Sequence, residues 1–144
     1  MTLPRSFARQ IVAHALADDP IECCGIVAGV DGRATKLYRA ENSEASPFRY
    51  NVHPRELKRI YDDIEDSGLD VFAIYHSHTG SAASPSGTDV RLAAWPEAYY
   101  LIVSLADLTK VVLRAFRIVD GVVTEEELSV KDDDDELDGD AAGE

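Results

Sequence analysis

Two Asp-Gly pairs, each lying between two apolar segments, limit the folds open to this chain. Asp31-Gly32 and Asp120-Gly121 are typical of the two-residue turn of a β-hairpin, in which both central residues adopt a positive φ. Each pair therefore predicts two antiparallel strands. Two other short apolar runs, rich in β-branched and aromatic residues, have the length of further strands. The predicted strands are residues 24–30, 34–39, 71–76, 99–105, 111–119 and 122–130.

Apolar residues recur at helical spacing in two segments. They predict a helix from Pro4 to Ala17 and a second from Pro54 to Ser67, and residues 88–94 predict one or two further turns. No Gly-rich phosphate-binding pattern follows a predicted strand, so nucleotide binding has no support. Few helices among about six strands predict an α+β domain. We expect a mixed central β-sheet flanked by two main helices and one short helix.

The charge of the chain excludes several classes of partner. The 144 residues carry 27 acidic and 14 basic side chains, a net charge of -13, which repels the phosphates of nucleic acids. No apolar run reaches the roughly 18 residues of a membrane span, and the N-terminus lacks the apolar stretch of a signal peptide.

Adjacent Cys23 and Cys24 cannot form a disulfide framework and are interpreted as buried thiols, with nucleophiles or metal ligands as the alternatives. We expect a cytoplasmic protein.

The C-terminal segment differs from the rest of the chain. Residues 131–144 hold eight acidic side chains and one basic side chain, with little apolar surface to bury. Such a segment cannot offset its loss of conformational entropy on ordering, so it is predicted to be a disordered acidic tail. The predicted domain is residues 1–130. A solubilising extension is the simplest interpretation of the tail, and a docking segment or a salt-adapted proteome are the alternatives.

Three residues between the end of the predicted strand 71–76 and the start of the predicted helix 88–94 have the types and spacing of metal ligands. His76 and His78 are separated by one residue at the end of a predicted strand, so their imidazoles project from the same face. Asp89 lies in the first turn of the next predicted helix, after a loop long enough to fold back. Three protein ligands leave a fourth position for water, as in catalytic zinc sites, whereas structural sites have four. The pattern indicates hydrolysis assisted by Zn²⁺ or another divalent metal, although an isolated His-x-His pair also occurs by chance.

Two further residues complete the predicted hydrolytic site. Glu22, directly before the strand 24–30, is the candidate general base that accepts a proton from the attacking water. Ser86, between the loop and the helix, is the candidate donor to the developing oxyanion. Each has a simpler alternative. Glu22 has the position of a solvated edge residue, and Ser86 with Asp89 fits a capping box at the start of a helix.

These residues together resemble the motif of a known family. The order Glu22, His76-Ser77-His78, seven residues, Ser86, two residues, Asp89 is similar to the JAMM motif, E then H-[ST]-H-x7-S-x2-D, of the MPN-domain metalloproteases. The resemblance extends over the whole predicted domain and is greatest to the small prokaryotic Mec-type peptidases. It implies a single MPN-like domain in which His76, His78 and Asp89 bind one zinc ion. It also implies that Glu22 is the general base and that Ser86 stabilises the tetrahedral intermediate.

The resemblance further implies a substrate class. Family members cleave after the C-terminal Gly-Gly of ubiquitin or ubiquitin-like proteins, and the Mec type releases a single cysteine from a ubiquitin-like sulfur carrier protein during cysteine biosynthesis. We therefore expect such a carrier as the partner. An isopeptidase acting on ubiquitin-like conjugates and a catalytically silent MPN-type scaffold remain alternatives. Thr79 departs from the Pro that many members have after the second His, which affects the path of the substrate-contacting loop.

The other candidates receive simpler interpretations. His14 and His53 have no partner at a metal-binding spacing, so His14 is assigned to a helix face and His53 to the entry of a helix. Arg49 and Tyr50, before the second predicted helix, are candidate contacts for a partner.

Overall fold

The structure is a computed structural model, and it describes residues 1–133. The helices are α1 (Arg5–Asp18), α2 (Pro54–Asp66) and α3 (Gly87–Leu92). The strands are β1 (Thr2–Pro4), β2 (Cys24–Val30), β3 (Arg33–Ala40), β4 (Asp70–His78), β5 (Tyr99–Ser104), β6 (Val112–Val119), β7 (Val122–Glu126) and β8 (Ser129–Lys131). A sheet of six strands in the order β3-β2-β4-β5-β6-β7 forms the centre, and β1 and β8 pair with each other beside it.

The α+β class and the mixed sheet are confirmed. Strands β4 and β5 pair in parallel, because the connection between them, which contains α3, crosses back to the end of the sheet at which β4 begins. The other neighbouring strands in the large sheet are antiparallel. Both predicted hairpin turns are present. Asp31, Gly32, Asp120 and Gly121 all have φ between 50° and 79°, as the two-residue turn requires.

The structure differs from the prediction at three short segments. The predicted strand 122–130 divides into β7, which pairs with β6, and β8, which pairs in parallel with β1. Strand β1 was not predicted because three residues that include a proline carry no periodic pattern. Residues 48–50, whose aromatic and apolar content would suit a short strand, form none and belong to the irregular segment between β3 and α2.

The two faces of the large sheet are covered by different helices. Helix α1 packs on one face, against a core that includes Cys23 and Tyr75, and α2 packs on the opposite face, against Cys24. Successive side chains of an extended chain point to opposite faces, so the two cysteines separate. Both thiols are free and buried, as predicted, and burial raises the pKa of each to about 12. They are therefore protonated and not poised as nucleophiles.

The described chain continues past the predicted domain boundary at residue 130. Lys131 ends β8, and Arg5 donates a hydrogen bond to Asp132 over 2.5 Å, while Ser6 at the start of α1 hydrogen-bonds to Asp133. The rest of the predicted acidic tail, residues 134–144, lies outside the described residues. Within residues 1–133, every helix is too short or too polar to cross a membrane.

Candidate metal centre

Strand β4 places both histidines in the interior. His76 pairs with Cys24 of β2 and with Ile102 of β5, so neighbouring strands cover it on both sides. His76 and His78 are both buried, with exposed fractions of 1% and 4%. The hydroxyl of Ser77, between them, points to the other face and accepts a hydrogen bond from the backbone N–H of Cys23 over 2.8 Å. This alternation aims two imidazoles at one point.

Helix α3 brings the third donor to the same point. The Nε2 atoms of His76 and His78 are 3.1 Å apart, and the Oδ2 atom of Asp89 lies 3.2 Å from the first and 3.0 Å from the second. Asp89 is fixed by a capping box, because its backbone N–H donates to Oγ of Ser86 and its Oδ2 accepts from the backbone N–H of Ser86. The first turn of the helix thus sets the position of the carboxylate.

Each imidazole is oriented by a different contact. Nδ1 of His78 lies 2.8 Å from the carbonyl oxygen of Ala82, so Nδ1 carries the proton and the lone pair of Nε2 faces the site. The ring of His76 stacks on Tyr50, with 4.6 Å between ring centroids and 25° between ring planes. Among residues 1–133, Nδ1 of His76 has no hydrogen-bond partner. Tyr50 therefore holds this ring by stacking.

The electrostatics suit a cation at this point. Burial lowers the pKa of His76, so its imidazole is neutral and available as a ligand. Burial acts in the same direction on His78, but its hydrogen bonds with Asp89 and Ala82 raise its pKa above the usual value. Burial opposes ionisation of Asp89, yet its contacts with both imidazoles and with the backbone N–H of Ser86 hold the pKa of that carboxyl well below its usual range. An ionised carboxylate beside imidazole nitrogens is a favourable site for a divalent ion.

Glu22 is buried beside the same centre. Its exposed fraction is 3%, so the alternative of a solvated edge residue is wrong. Within the described part of the chain, its Oε1 atom has no hydrogen-bond partner. Burial raises the pKa of Glu22 to about 7, and the charges of His78 and Asp89 act on it in opposite directions. A buried carboxyl that titrates near neutrality is a typical general base.

The backbone of Glu22 is held by the irregular segment 41–52. Its N–H donates to the carbonyl oxygen of Ser46 over 3.0 Å, and its carbonyl oxygen accepts from Nδ2 of Asn42 over 3.0 Å. The buried amide of Asn42 also donates to the carbonyl oxygen of Arg49 and accepts from the backbone N–H of Asn51. One side chain therefore organises the segment and fixes it to the candidate base.

Ser86 forms the capping box that the sequence offered as its simpler interpretation. The capping box is formed, so the simpler alternative for Ser86 is correct as a description of the helix start. Its Oγ accepts from the N–H of Asp89, which leaves the hydroxyl proton free, and the residue is exposed. A hydroxyl that accepts one hydrogen bond can still donate another. Its role toward an oxyanion stays a prediction.

Sequence reasoning missed Asn42 and underestimated Tyr50 and Thr79. Tyr50, a candidate partner contact, also stacks on the ring of His76, and its contact with a partner stays a prediction. Thr79, noted as a departure from Pro, donates from its hydroxyl to the carbonyl oxygen of Pro47 over 3.0 Å and so attaches the exit of β4 to the segment 41–52. Asn42 follows β3 in a polar stretch with no periodic signal, and only the three-dimensional structure shows that it is buried.

The two remaining histidines lie away from the centre. His53 precedes α2, and its Nδ1 accepts a hydrogen bond from the backbone N–H of Arg55, as expected of a residue at a helix entry. His14 lies on α1 but is buried, with Nδ1 2.7 Å from the hydroxyl of Tyr75 and Nε2 3.2 Å from a carboxylate oxygen of Asp18. Its assignment to a helix face is correct, and that face points into the core.

The donor set fits a metal ion. Within residues 1–133, the cluster of His, Cys, Asp or Glu side chains that could share one ion consists of His76, His78 and Asp89. All three donor atoms converge, and the buried side-chain atoms without partners within residues 1–133 belong to one of these ligands, His76, and to Glu22. Two imidazoles and one carboxylate with an open position suit zinc, and they also suit other divalent transition metals.

Comparison with known proteins places the chain among related sequences and structures. It is 43% identical over 122 residues, 83% of this chain and 84% of that protein, to the CysO-cysteine peptidase of Mycobacterium tuberculosis strain H37Rv. It is 41% identical over 101 residues, 65% of this chain and 73% of that protein, to the desampylase of Haloferax volcanii. The solution structure of protein DSY2949 from Desulfitobacterium hafniense matches with a TM-score of 0.82 and 34% identity, covering 92% of this chain and 93% of that chain.

A family description matches most of the chain. Residues 4–119 match the family Prok-JAB, the prokaryotic homologs of the JAB domain. This range contains both the large sheet up to β6 and every residue of the candidate metal centre. The resemblance inferred from the motif is therefore confirmed, and the chain belongs to the prokaryotic branch of the JAB, or MPN, domain family.

Proposed function

We propose that this protein is a zinc-dependent peptidase. In this proposal it hydrolyses the amide bond after the C-terminal Gly-Gly of a ubiquitin-like sulfur carrier protein and releases cysteine for cysteine biosynthesis. The observation that carries the proposal is the buried carboxyl of Glu22, without a partner for Oε1 among residues 1–133, beside three converging metal donors. The similarity to the CysO-cysteine peptidase supports the choice of substrate.

His76, His78 and Asp89 would hold the metal. When bound, zinc polarises the scissile carbonyl and lowers the pKa of water toward neutrality. The chain keeps these donors ready, because β4 and the capping box of α3 fix them before any ion arrives. The carbonyl of Ala82 keeps the proton of His78 on Nδ1, away from the metal position.

Glu22 would move the proton. Its carboxylate accepts a proton from the attacking water and then delivers it to the leaving amine, so the base of the first step is the acid of the second. A pKa of about 7 makes both transfers accessible at neutral pH. The free hydroxyl proton of Ser86 donates to the oxyanion of the tetrahedral intermediate.

A second substrate class has an observation of its own in its favour. The chain is also similar to a desampylase and to a protein named a probable TtuB-protein conjugate cleaving protease, and the second name states the cleavage of a conjugate. An isopeptidase would use the same donors and the same base on an amide formed by a lysine side chain. The two activities differ only in the leaving group.

The test uses a ubiquitin-like carrier that bears a C-terminal cysteine after Gly-Gly. Incubation with the zinc-loaded protein should remove one cysteine, seen as a mass loss, and Glu22→Ala should remove none while it retains about one zinc per chain. Loss of cysteine at the wild-type rate by Glu22→Ala contradicts the assigned base. Cleavage of lysine-linked conjugates without cleavage of the charged carrier would assign the isopeptidase activity instead.

A further inference from the structure

We infer that Arg49 binds the α-carboxylate of a leaving group that is a single amino acid. The enzyme then prefers substrates whose chain ends one residue after the scissile bond. This inference rests on the proposed peptidase function and deepens it, because it specifies how a released amino acid is distinguished from a lysine side chain or a longer polypeptide.

A small pocket adjoins the candidate metal centre at the position of Asp89. Its volume is about 110 Å³, and its lining also includes Thr88 and Leu92 of α3. Opposite α3, the lining consists of three consecutive residues of the segment 41–52, namely Arg49, Tyr50 and Asn51. Since one water takes up about 30 Å³, this space suits a small amino acid and not a folded chain.

The three residues opposite α3 are held in place. Asn42 donates to the carbonyl oxygen of Arg49 over 2.9 Å and accepts from the N–H of Asn51 over 3.2 Å, so it fixes both ends of the tripeptide. Between them, Tyr50 stacks on His76. The backbone that carries Arg49 is therefore positioned relative to the metal donors. Only the guanidinium itself is left with freedom to adjust.

Charge makes Arg49 unusual in this position. The chain has a net charge of -13, yet Arg49 is the cationic side chain among the described residues that line the pocket. The one acidic residue of the lining is Asp89, which is assigned to the metal. A guanidinium there has a use if the substrate brings an anion to the pocket. A lysine side chain or an internal peptide brings none, whereas a single released amino acid brings its α-carboxylate.

The guanidinium is available for such a ligand. Its ion pair among residues 1–133 joins Nε to Oε1 of Glu44 over 3.4 Å, and the Arg49 side chain is 65% exposed. Exposed single contacts of this kind contribute little free energy and exchange readily. The remaining N–H groups can form the bidentate pair that arginine makes with carboxylates. The carboxylate of Glu44 then pairs with Arg49 only until the carboxylate of the substrate replaces it.

The experiment compares two carriers that differ in one group. Both end in Gly-Gly-Cys, one with a free α-carboxylate and the other with a C-terminal carboxamide. The zinc-loaded wild-type protein should cleave the acid with a kcat/KM about 10- to 100-fold above that of the amide, the range expected for hydrogen bonds to a charged group. Arg49→Gln should lower the value for the acid by the same factor and leave the value for the amide unchanged.

Three further variants serve as controls. Arg49→Lys keeps the charge and loses the bidentate geometry, so its activity on the acid should lie between those of wild type and Arg49→Gln. Arg9→Gln removes the same charge from an exposed position on α1 and should change neither value. Glu44→Gln removes the competing carboxylate and should not weaken cleavage of the acid.

Binding provides a readout that does not depend on turnover. With Glu22→Ala as the background, the acid should bind more tightly than the amide, and adding Arg49→Gln should abolish the difference. Equal loss of affinity for both carriers would show that Arg49 contacts the carrier body, which overturns the inference and leaves the proposed function standing. If the wild-type protein cleaves neither carrier and binds both equally, the proposed function and the inference both fail.

Discussion

Adjacent residues of β4 belong to two buried polar clusters on opposite faces of the sheet. Tyr75 points toward α1, where its hydroxyl lies 2.7 Å from Nδ1 of His14, and Nε2 of His14 pairs with Asp18. His76 points the other way, into the candidate metal centre. In the first cluster both nitrogens of the histidine have partners. In the second, three donor atoms crowd together, and Nδ1 of His76 and Oε1 of Glu22 have no partner within residues 1–133.

This difference in hydrogen bonding distinguishes a cluster that stabilises the fold from a cluster that is suited to bind a ligand. A buried polar group without a hydrogen bond costs free energy, so a fold normally satisfies each one. The cluster around His14 follows this rule and needs no ligand to explain it. The cluster around His76 violates the rule among residues whose order resembles the JAMM motif. Substitutions in the cluster around His14 should therefore lower stability and leave metal binding intact. Substitutions in the cluster around His76 should reduce metal binding and activity.

The largest effect is expected for His76→Ala. Loss of a ligand should reduce metal binding far more than the 10- to 100-fold that loss of a residue supporting a ligand produces, and activity should disappear with the metal. Metal content after dialysis, measured by elemental analysis, checks this expectation. His14→Ala is the matched control from the other face. It should lower the melting temperature and keep the metal, and a variant of His14 that loses the metal would refute the separation.

Glu22→Gln should have the next largest effect. The amide has nearly the shape of the carboxyl but cannot accept the proton, so turnover should fall by about 10²- to 10⁴-fold, the usual contribution of a general base. Metal content should remain near that of the wild-type protein. Single-turnover cleavage of the charged carrier gives the rate. A loss of less than tenfold would assign the base to another residue.

The pH dependence of stability should reveal the same carboxyl in the metal-free protein. Burial raises the pKa of Glu22 from 4.5 to about 7 in the folded state, so the folded protein holds this proton more tightly than the unfolded chain. The contribution of Glu22 to stability is therefore greatest below about pH 4.5, falls as the pH rises toward about 7, and is constant above that. Ionisation should cost at most about 3 kcal/mol.

Urea unfolding at pH 5 and pH 8 measures this contribution. The free energy of unfolding of Glu22→Gln, relative to that of the wild-type protein, should increase between the two pH values, because the amide has no proton to lose. Other titrating groups act on both proteins and cancel in the difference. A difference that does not change with pH would mean that Glu22 is solvated.

Much of the fold and of the candidate metal centre can be predicted from the sequence, and the physical reason differs between the hairpins and the metal donors. The Asp-Gly turns determine both hairpins, because few residues adopt positive φ in succession. The alternation of side chains along β4 predicts that His76 and His78 share a face, and the family motif adds Asp89, Glu22 and Ser86. The family, the α+β fold and the bounds of the main elements followed from these local signals.

The surroundings of the site could not be predicted in the same way. Asn42 and Thr79 act through hydrogen bonds to carbonyl groups of distant residues, and no spacing in the sequence encodes such contacts. The burial of Glu22 depends on the segment 41–52, which has no regular secondary structure apart from its turns and bends. Short elements such as β1 form because a partner strand is present. These features are tertiary, and sequence patterns report local structure.

The smallest effect compares two hydroxyl groups, one within β4 and one on the residue that follows it. Thr79 follows β4 and its hydroxyl holds the carbonyl of Pro47 over 3.0 Å, whereas the hydroxyl of Tyr75 holds His14. Each hydrogen bond should contribute about 1 kcal/mol. Tyr75→Phe should lower the free energy of unfolding by about that amount or somewhat more, because it leaves the buried Nδ1 of His14 without a partner while Nε2 keeps Asp18, and KM should not change.

Thr79→Val should instead act on the substrate. Releasing Pro47 loosens the segment 41–52, which carries Tyr50 and Arg49, so KM for the charged carrier should rise a few-fold, the change that corresponds to about 1 kcal/mol. Thr79→Ser keeps the hydroxyl and should retain the wild-type KM. If Thr79→Val and Tyr75→Phe change stability equally and neither changes KM, the hydrogen bond of Thr79 does not position the segment 41–52, and its other contacts, such as those of Asn42 and the stacking of Tyr50, hold it.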